Sequence, residues 1–270
     1  MVSEEMYVLG TKKSTIRTIF EFGQKRAAEV GAENVFDFSL GNPNVPAPDF
    51  IRDAAVDILM HGDPTEVHGY TIAPGKPAVR EVLAADLKRR FGMEVTGKNL
   101  FMTAGAAASV TITFKALPEP GDEFVTFAPF FPEYRVFVEA CGGKLVVVPA
   151  KTDDFQIDLT ALERVLTPQT KAVIVNSPNN PSGAVYRETT IRRLADLLRA
   201  KEQEYGHPIF IVADEPYREI VYDGASVPCI PLFYDNTIVC YSYSKSFSLP
   251  GERIGYIVVP DTAADFARIY

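Results

Sequence analysis

The sequence predicts an α/β protein: a three-layer αβα large domain around a mainly parallel seven-stranded sheet, plus part of a smaller α/β domain from the N-terminal segment. Three observations lead there. Seven short runs rich in Val, Ile and Phe recur from residue 99 onward, and near-continuous apolar runs suit strands covered on both faces. Stretches of helical period separate several of them, the alternation expected of parallel strands joined by crossovers. The 270 residues, 47% hydrophobic and 23% charged, leave ample material for a core.

The elements follow in order. Residues 14–30 carry the spacing of one amphipathic helix, ended by Gly31. GNPNVPAP (41–48) is a Pro-rich extended crossing, so residues 1–48 form an N-terminal segment and 49–270 the large domain. Helical periods occupy 49–60 and 75–91, the second opened by the Pro74–Gly75 turn. The apolar runs are 99–105, 123–129, 144–150, 171–178, 209–215, 237–244 and 255–260, with helices over 106–117, 132–140 and 189–203.

Composition excludes several classes. A net charge of −8 argues against nucleic acid or an anionic membrane surface as partner. No apolar run approaches the ~18–20 residues of a membrane span, and MVSEEMYVLGTKKST is no signal peptide. Cys141, Cys229 and Cys240, widely spaced among apolar neighbours, read as reduced core cysteines of a cytoplasmic protein. His61, His68 and His207 show no ligand spacing with each other or with cysteine, so no metal site is expected.

Ligands of open α/β sheets bind beyond the carboxyl ends of the strands, so the residues following each run are the candidates. TAGAAAS after the first run offers Gly105, Ala106 and Ala107 at a helix start; free amides there suit a phosphate, and small residues equally suit close helix–sheet packing. Phe130 and Phe131 after the second suit the core or a stacking face. NSPNNPSG after the fourth supplies Asn176, Asn179 and Asn180, as a rigid turn or as ligand amides. ADEPY after the fifth places Asp214, Glu215 and Tyr217 at a strand end, where a carboxylate can also cap a helix. SYSKSFSLPGER after the sixth brings Ser242, Ser244, Lys245 and Arg253. Together these make a phosphate cradle, an aromatic face, an amide, a carboxylate with a phenol, and an amine. Pyridoxal 5′-phosphate, an aldehyde with a ring nitrogen and a phosphate, uses them all.

SYSKSFSLPGERIG, preceded by NNPSG and DEPY, resembles the lysine signature of the class I/II aminotransferases, fold-type I pyridoxal-phosphate enzymes of the aspartate aminotransferase kind, from about residue 15 to the end. The resemblance implies roles. Lys245 would hold the cofactor as a Schiff base and shuttle the substrate's α-proton, with Asp214 on the ring nitrogen and Asn180 and Tyr217 on the phenolic oxygen. Phe131 would stack on the ring. Ser242, Ser244, Arg253 and the Gly105–Ala107 turn would hold the phosphate. Tyr70, in GYTIAPG, would reach the phosphate of a partner subunit, implying a homodimer with shared sites, and Gly41 would lie near the substrate carboxylate with Asn180. Relatives of this kind continue into a C-terminal segment that completes the small domain, so the substrate site is expected to be only partly present.

Three readings compete. The first is an aminotransferase passing an amino group from aspartate or another L-amino acid to a 2-oxo acid such as 2-oxoglutarate. The second is a lyase or synthase on the same scaffold, for example a C–S lyase, which product analysis separates. The third is a non-catalytic cofactor-sensing regulatory domain, which needs a fused DNA-binding segment.

Overall fold

The computed structural model describes residues 4–11 and 15–270. It divides into two compact units, Met1–Pro46 and Ala47–Tyr270. The first contains helices α1 (Glu4–Thr11) and α2 (Thr15–Val30), the latter followed by Gly31 at φ 91°. The expected helix is α2, and α1 precedes it as a further helix. Nothing in α1 gathers its apolar residues into one stripe, and both Tyr7 and Val8 are exposed. Ser14, the expected start of the second helix, lies outside the described residues.

The second unit opens with α3 (Asp49–His61), α4 (Pro64–His68) and α5 (Pro77–Phe91). Asp63 caps α4, its carboxylate accepting from Thr65 N at 2.8 Å and Glu66 N at 3.2 Å. The Pro74–Gly75 turn precedes α5 rather than starting it: Gly75 sits at φ 93° and donates to Ile72 O at 2.8 Å. Then come β1 (Leu100–Thr103), α6 (Ala106–Ala116), β2 (Glu123–Phe127), α7 (Glu133–Glu139), β3 (Lys144–Val148), α8 (Leu159–Val165), β4 (Thr170–Asn176), α9 (Glu188–Tyr205), β5 (Phe210–Asp214), β6 (Thr237–Ser242), α10 (Tyr243–Ser246), β7 (Gly255–Val258) and α11 (Phe266–Ile269).

All seven strands form one sheet in the order β1-β7-β6-β5-β4-β2-β3. Pairings among β2 to β6 are parallel, while β7 lies antiparallel between β6 and β1. The connection from Ser242 to Gly255 carries only the one-turn α10 and folds straight back, whereas a parallel neighbour requires a full crossover.

Why the strand runs are apolar throughout is visible in the packing. Alternate residues of β4, β5 and β6 serve two separate cores. Val173, Val175, Ile211, Ala213 and Val239 face α5, α8 and α9, where Leu87, Leu162, Ile191, Leu194 and Leu198 pack against them. Ala172, Ile174, Phe210, Val212 and Ile238 face the opposite side, against Val110 and Phe114 of α6 and Tyr134 and Val138 of α7. With period-2 alternation between two buried faces, a polar residue in mid-strand has nowhere to go. The polar residues are accordingly displaced to the strand ends.

Leu194 and Phe114 are both fully buried, one in each core. Leu194→Ala should cost about 2–5 kcal/mol and Phe114→Ala about 3–5 kcal/mol in urea unfolding. A loss below about 1 kcal/mol at either site would mean that its layer is not packed as described.

Candidate active site

Strand register assembles the site. Asn176 and Asp214 are partners at the ends of β4 and β5, and Asp214 is in turn opposite Cys240 of β6. One pairing further, Ser242 and Thr103 both lie opposite Gly255, the first residue of β7. The ends of β1, β4, β5 and β6 and the start of β7 thus share one edge, and eleven of the thirteen sequence candidates follow or terminate elements there or in the adjoining loops. This is the carboxyl edge at which open α/β sheets bind ligands.

Asp214 is buried, 6% exposed. Its Oδ2 accepts from the hydroxyl of Tyr134 at 2.5 Å, whereas the equally buried Oδ1 has no hydrogen-bond partner. Asp214 does not cap a helix. Its backbone carbonyl accepts from Asn176 Nδ2 at 2.8 Å, which stitches β4 to β5. Burial pushes the carboxyl pKa up to about 7; the Tyr134 hydrogen bond pulls it down, and the Glu215 charge adds to the rise. Glu215 itself is neutralised in a buried two-point pair with Arg218, Nε to Oε2 at 2.7 Å and Nη2 to Oε1 at 2.5 Å. Arg218 also donates to the carbonyls of Val227 and Pro228, so it belongs to the loop that follows β5.

Asn180 and Tyr217 come together as expected: Asn180 Nδ2 donates to the Tyr217 hydroxyl at 3.1 Å. Asn176 Oδ1 accepts from Asn180 N at 2.6 Å and so fixes the loop. Burial and the nearby Asp214 charge raise the Tyr217 phenol pKa, with Asn180 opposing them.

Lys245 lies in α10, half-buried. Burial, and secondarily the positive charge of Arg253, lowers its amine pKa. Its helix is anchored on both sides. Ser242 caps it, accepting from Ser244 N at 3.0 Å and donating to Ser244 Oγ at 2.7 Å. Tyr241 reaches Ser246 Oγ at 3.0 Å and donates to Glu219 at 2.8 Å, and Glu219 pairs with Arg90 at 2.7 Å. Tyr243 and Phe247 stack at 5.4 Å beneath the turn.

Gly105 sits at φ 88° immediately before α6. A Cβ there would approach Arg253 Nη2 to 2.7 Å, and a Cβ on Gly255 would lie 2.9 Å from Gly105 Cα. The positive φ requires glycine at 105, and the close backbone approach requires it at 255, while the guanidinium lies against the start of α6 at Gly105. Arg253 is exposed, holds φ 55° and donates to Pro250 O at 3.0 Å, rather than forming an ion pair among the described residues. Phe131 is half-buried and meets Tyr134 edge to face at 5.6 Å.

One candidate of the second unit is not brought in. Tyr70 projects into solvent, 108% exposed. Gly41 lies in the N-terminal unit, also exposed. One residue was missed: Tyr134. Phe131, Tyr134 and Val138 recur at helical spacing, which places the tyrosine inside, and a buried phenol needs a partner.

An amine, a carboxylate and a guanidinium close to a helix start thus share one edge of an α/β sheet. The family model for aminotransferase class I and II matches residues 33–270, and the chain belongs to that family, whose members use pyridoxal 5′-phosphate. Among curated proteins it is 34% identical over 221 residues to a probable aspartate/prephenate aminotransferase of Thermus aquaticus, covering 82% of this chain and 55% of that protein. It is 33% identical over 231 residues to an arginine–pyruvate transaminase of Pseudomonas aeruginosa, covering 84% and 56%. An aminotransferase structure from Eubacterium rectale superposes with a TM-score of 0.98 at 56% identity, covering 100% of this chain and 68% of that one. Aspartate aminotransferase of Thermus thermophilus with maleate gives 0.83 at 28% identity, covering 100% and 66%. The chain thus spans little more than half the length of the curated relatives it matches.

Asp214 carries a pH prediction. Unfolded, its carboxyl titrates near 3.8; folded and without ligand, near 7. Between those values the folded state binds the extra proton, so stability falls as pH rises through the window and levels above it. Asp214→Asn cannot titrate. Its stability relative to the parent should therefore increase between about pH 4 and about pH 7, by up to a few kcal/mol in urea unfolding of ligand-free protein. A difference independent of pH would show that the carboxyl titrates normally.

Proposed function

We propose that this chain forms the cofactor-binding part of a pyridoxal-phosphate-dependent aminotransferase, moving an amino group between an amino acid and a 2-oxo acid by ping-pong exchange. Residues 49–270 would be its large domain and residues 1–48 part of a smaller one. The observation that carries the reading is the orphaned Oδ1 of Asp214, buried at the strand edge that also presents Lys245. A buried carboxylate oxygen without a donor is costly, and a protonated ring nitrogen is the donor it lacks.

The remaining residues fit the same group. The Gly105–Arg253 approach leaves a cradle that a Cβ would fill, at a helix start suited to a phosphate dianion. Ser242 and Ser244 add hydroxyls there, and Ala106 and Ala107 add amides. Phe131 would cover one face of the ring. The Asn180 amide and Tyr217 hydroxyl would hold its phenolic oxygen, and Lys245 Nζ would hold its aldehyde carbon. Bound there, the cofactor supplies an electron sink for the bond broken at the substrate's α-carbon. Lys245 would take and return the proton at that carbon. A burial-lowered pKa suits this task, because a larger fraction of the amine is neutral near pH 7. Asp214 Oδ1, ionised, would keep the ring nitrogen protonated.

The donor we propose is aspartate or another L-amino acid, and the acceptor 2-oxoglutarate. The relatives' names, aspartate/prephenate aminotransferase and arginine–pyruvate transaminase, support transamination while differing in substrate. Gly41, with Asn180, would face the substrate carboxylate. We also propose a homodimer. Phe50, Leu59, Met60, Tyr70, Ile72 and Val82 are exposed apolar side chains of the kind a partner covers, and Tyr70 would complete the neighbouring site. Free Cys141, Cys229 and Cys240 support a cytoplasmic setting.

Loading with pyridoxal phosphate, borohydride reduction and peptide mapping should put the label on Lys245, and Lys245→Ala should abolish it. Any turnover of aspartate by the loaded protein should release the 2-oxo acid and keep the amino group. Release of pyruvate and ammonia from cysteine or serine would favour a lyase.

A further inference from the structure

Tyr134 is fully buried, and among the described residues its hydroxyl has one hydrogen-bond partner, Asp214 Oδ2. Its ring is held in place by neighbours on two sides. Phe114 of α6 meets it edge to face at 6.3 Å, and Phe131 does so at 5.6 Å. The phenol is a poor acid here: burial first, and then the Asp214 charge, raise its pKa well above the ordinary value. It therefore keeps its proton and acts only as a donor toward the carboxylate.

We propose that Tyr134 is a positioning residue that makes Asp214 a one-sided acceptor, occupying Oδ2 so that the carboxylate presents only Oδ1 to a protonated ring nitrogen. The inference rests on reading Asp214 as that acceptor and extends it to a residue outside the lysine signature. Without the hydroxyl both carboxylate oxygens would be buried and unsatisfied, and the ionised form would be harder to maintain. The other titratable groups acting on Asp214 do not replace it. Glu215, its sequence neighbour, repels the charge and is committed to Arg218; Cys240 on β6 is a buried thiol whose pKa is raised; and Tyr217 shares its hydroxyl with Asn180. Asp214 forms no ion pair among the described residues, so the hydroxyl of Tyr134 is its source of side-chain donation there. The same tyrosine touches Phe131, so the stacking face and the acceptor would be set by one rigid side chain.

The test compares pyridoxal phosphate with its carbocyclic analogue, in which C–H replaces the ring nitrogen, bound by the full chain. The parent should bind pyridoxal phosphate about tenfold or more tighter than the analogue. Tyr134→Phe preserves the ring packing and should weaken pyridoxal phosphate by about ten- to a hundredfold, the range for a hydrogen bond to a charged group, with analogue affinity held within about twofold. Equal weakening of both ligands would reduce Tyr134 to a packing residue and overturn the proposal, as would no change in either. A parent that does not distinguish the two ligands would overturn the Asp214 reading itself, and the proposal with it. If Tyr134→Phe does not fold, the parent still decides: the Tyr134 hydroxyl proton resonance should shift on binding pyridoxal phosphate and stay in place with the analogue. A resonance that responds identically to both would contradict the positioning role.

Discussion

A carboxylate buried with one oxygen bonded and one oxygen bare is the constraint around which this molecule is organised. Asp214 ends a central strand of the sheet, and its Oδ1 is buried there without a hydrogen-bond partner. Much of the surrounding structure limits the cost. Tyr134 bonds Oδ2, Asn176 fixes the backbone carbonyl, and Arg218 pairs with Glu215 next door. What remains is a group poised to titrate near neutrality, stabilised most by a ligand that brings a proton-bearing nitrogen.

The two ends of the site are built differently for a physical reason. The Asp214 end is enclosed, and its polar groups have to be positioned before any ligand arrives, because water is not there to satisfy them. At the other end Arg253, Ala104 and Ala107 are exposed or nearly so, and solvent can satisfy the helix start and the guanidinium until an anion displaces it. Geometry there is secured by absence: Gly105 and Gly255 leave out the Cβ atoms that would hold the arginine and the strand apart. Between the ends, α10 is a single turn, too short to be stable alone. It relies on the Ser242 cap and on the Tyr241, Ser246, Glu219 and Arg90 chain to fix Lys245.

Much of this was legible in the sequence, because burial on two faces writes itself as unbroken apolar runs. All seven strands fall where such runs lie, and polar residues mark their ends. What was not legible depends on distant partners. The reversal at β7 follows from a connection that turns back, for which residues 243–254 give no local signal. Helix α8 is seven residues long and anchored by the Asp158 cap, below the length at which periodicity is readable. The carboxylate at 214 could also be read as a helix cap, since the lack of a donor on Oδ1 is a property of the packed neighbourhood. Tyr134 stood among aromatic residues as one more core side chain, and only proximity across 80 positions gives its hydroxyl a purpose.

The most direct measurement is the ¹⁵N NMR shift of ring-labelled pyridoxal phosphate bound to the chain, followed from acid to mildly alkaline pH. A nitrogen that stays protonated well above the pH at which it titrates in water, and loses that proton in Asp214→Asn, is the result this account predicts. A nitrogen that is already unprotonated at neutral pH in the parent would contradict it, and would leave the bare oxygen of Asp214 without the partner assigned to it.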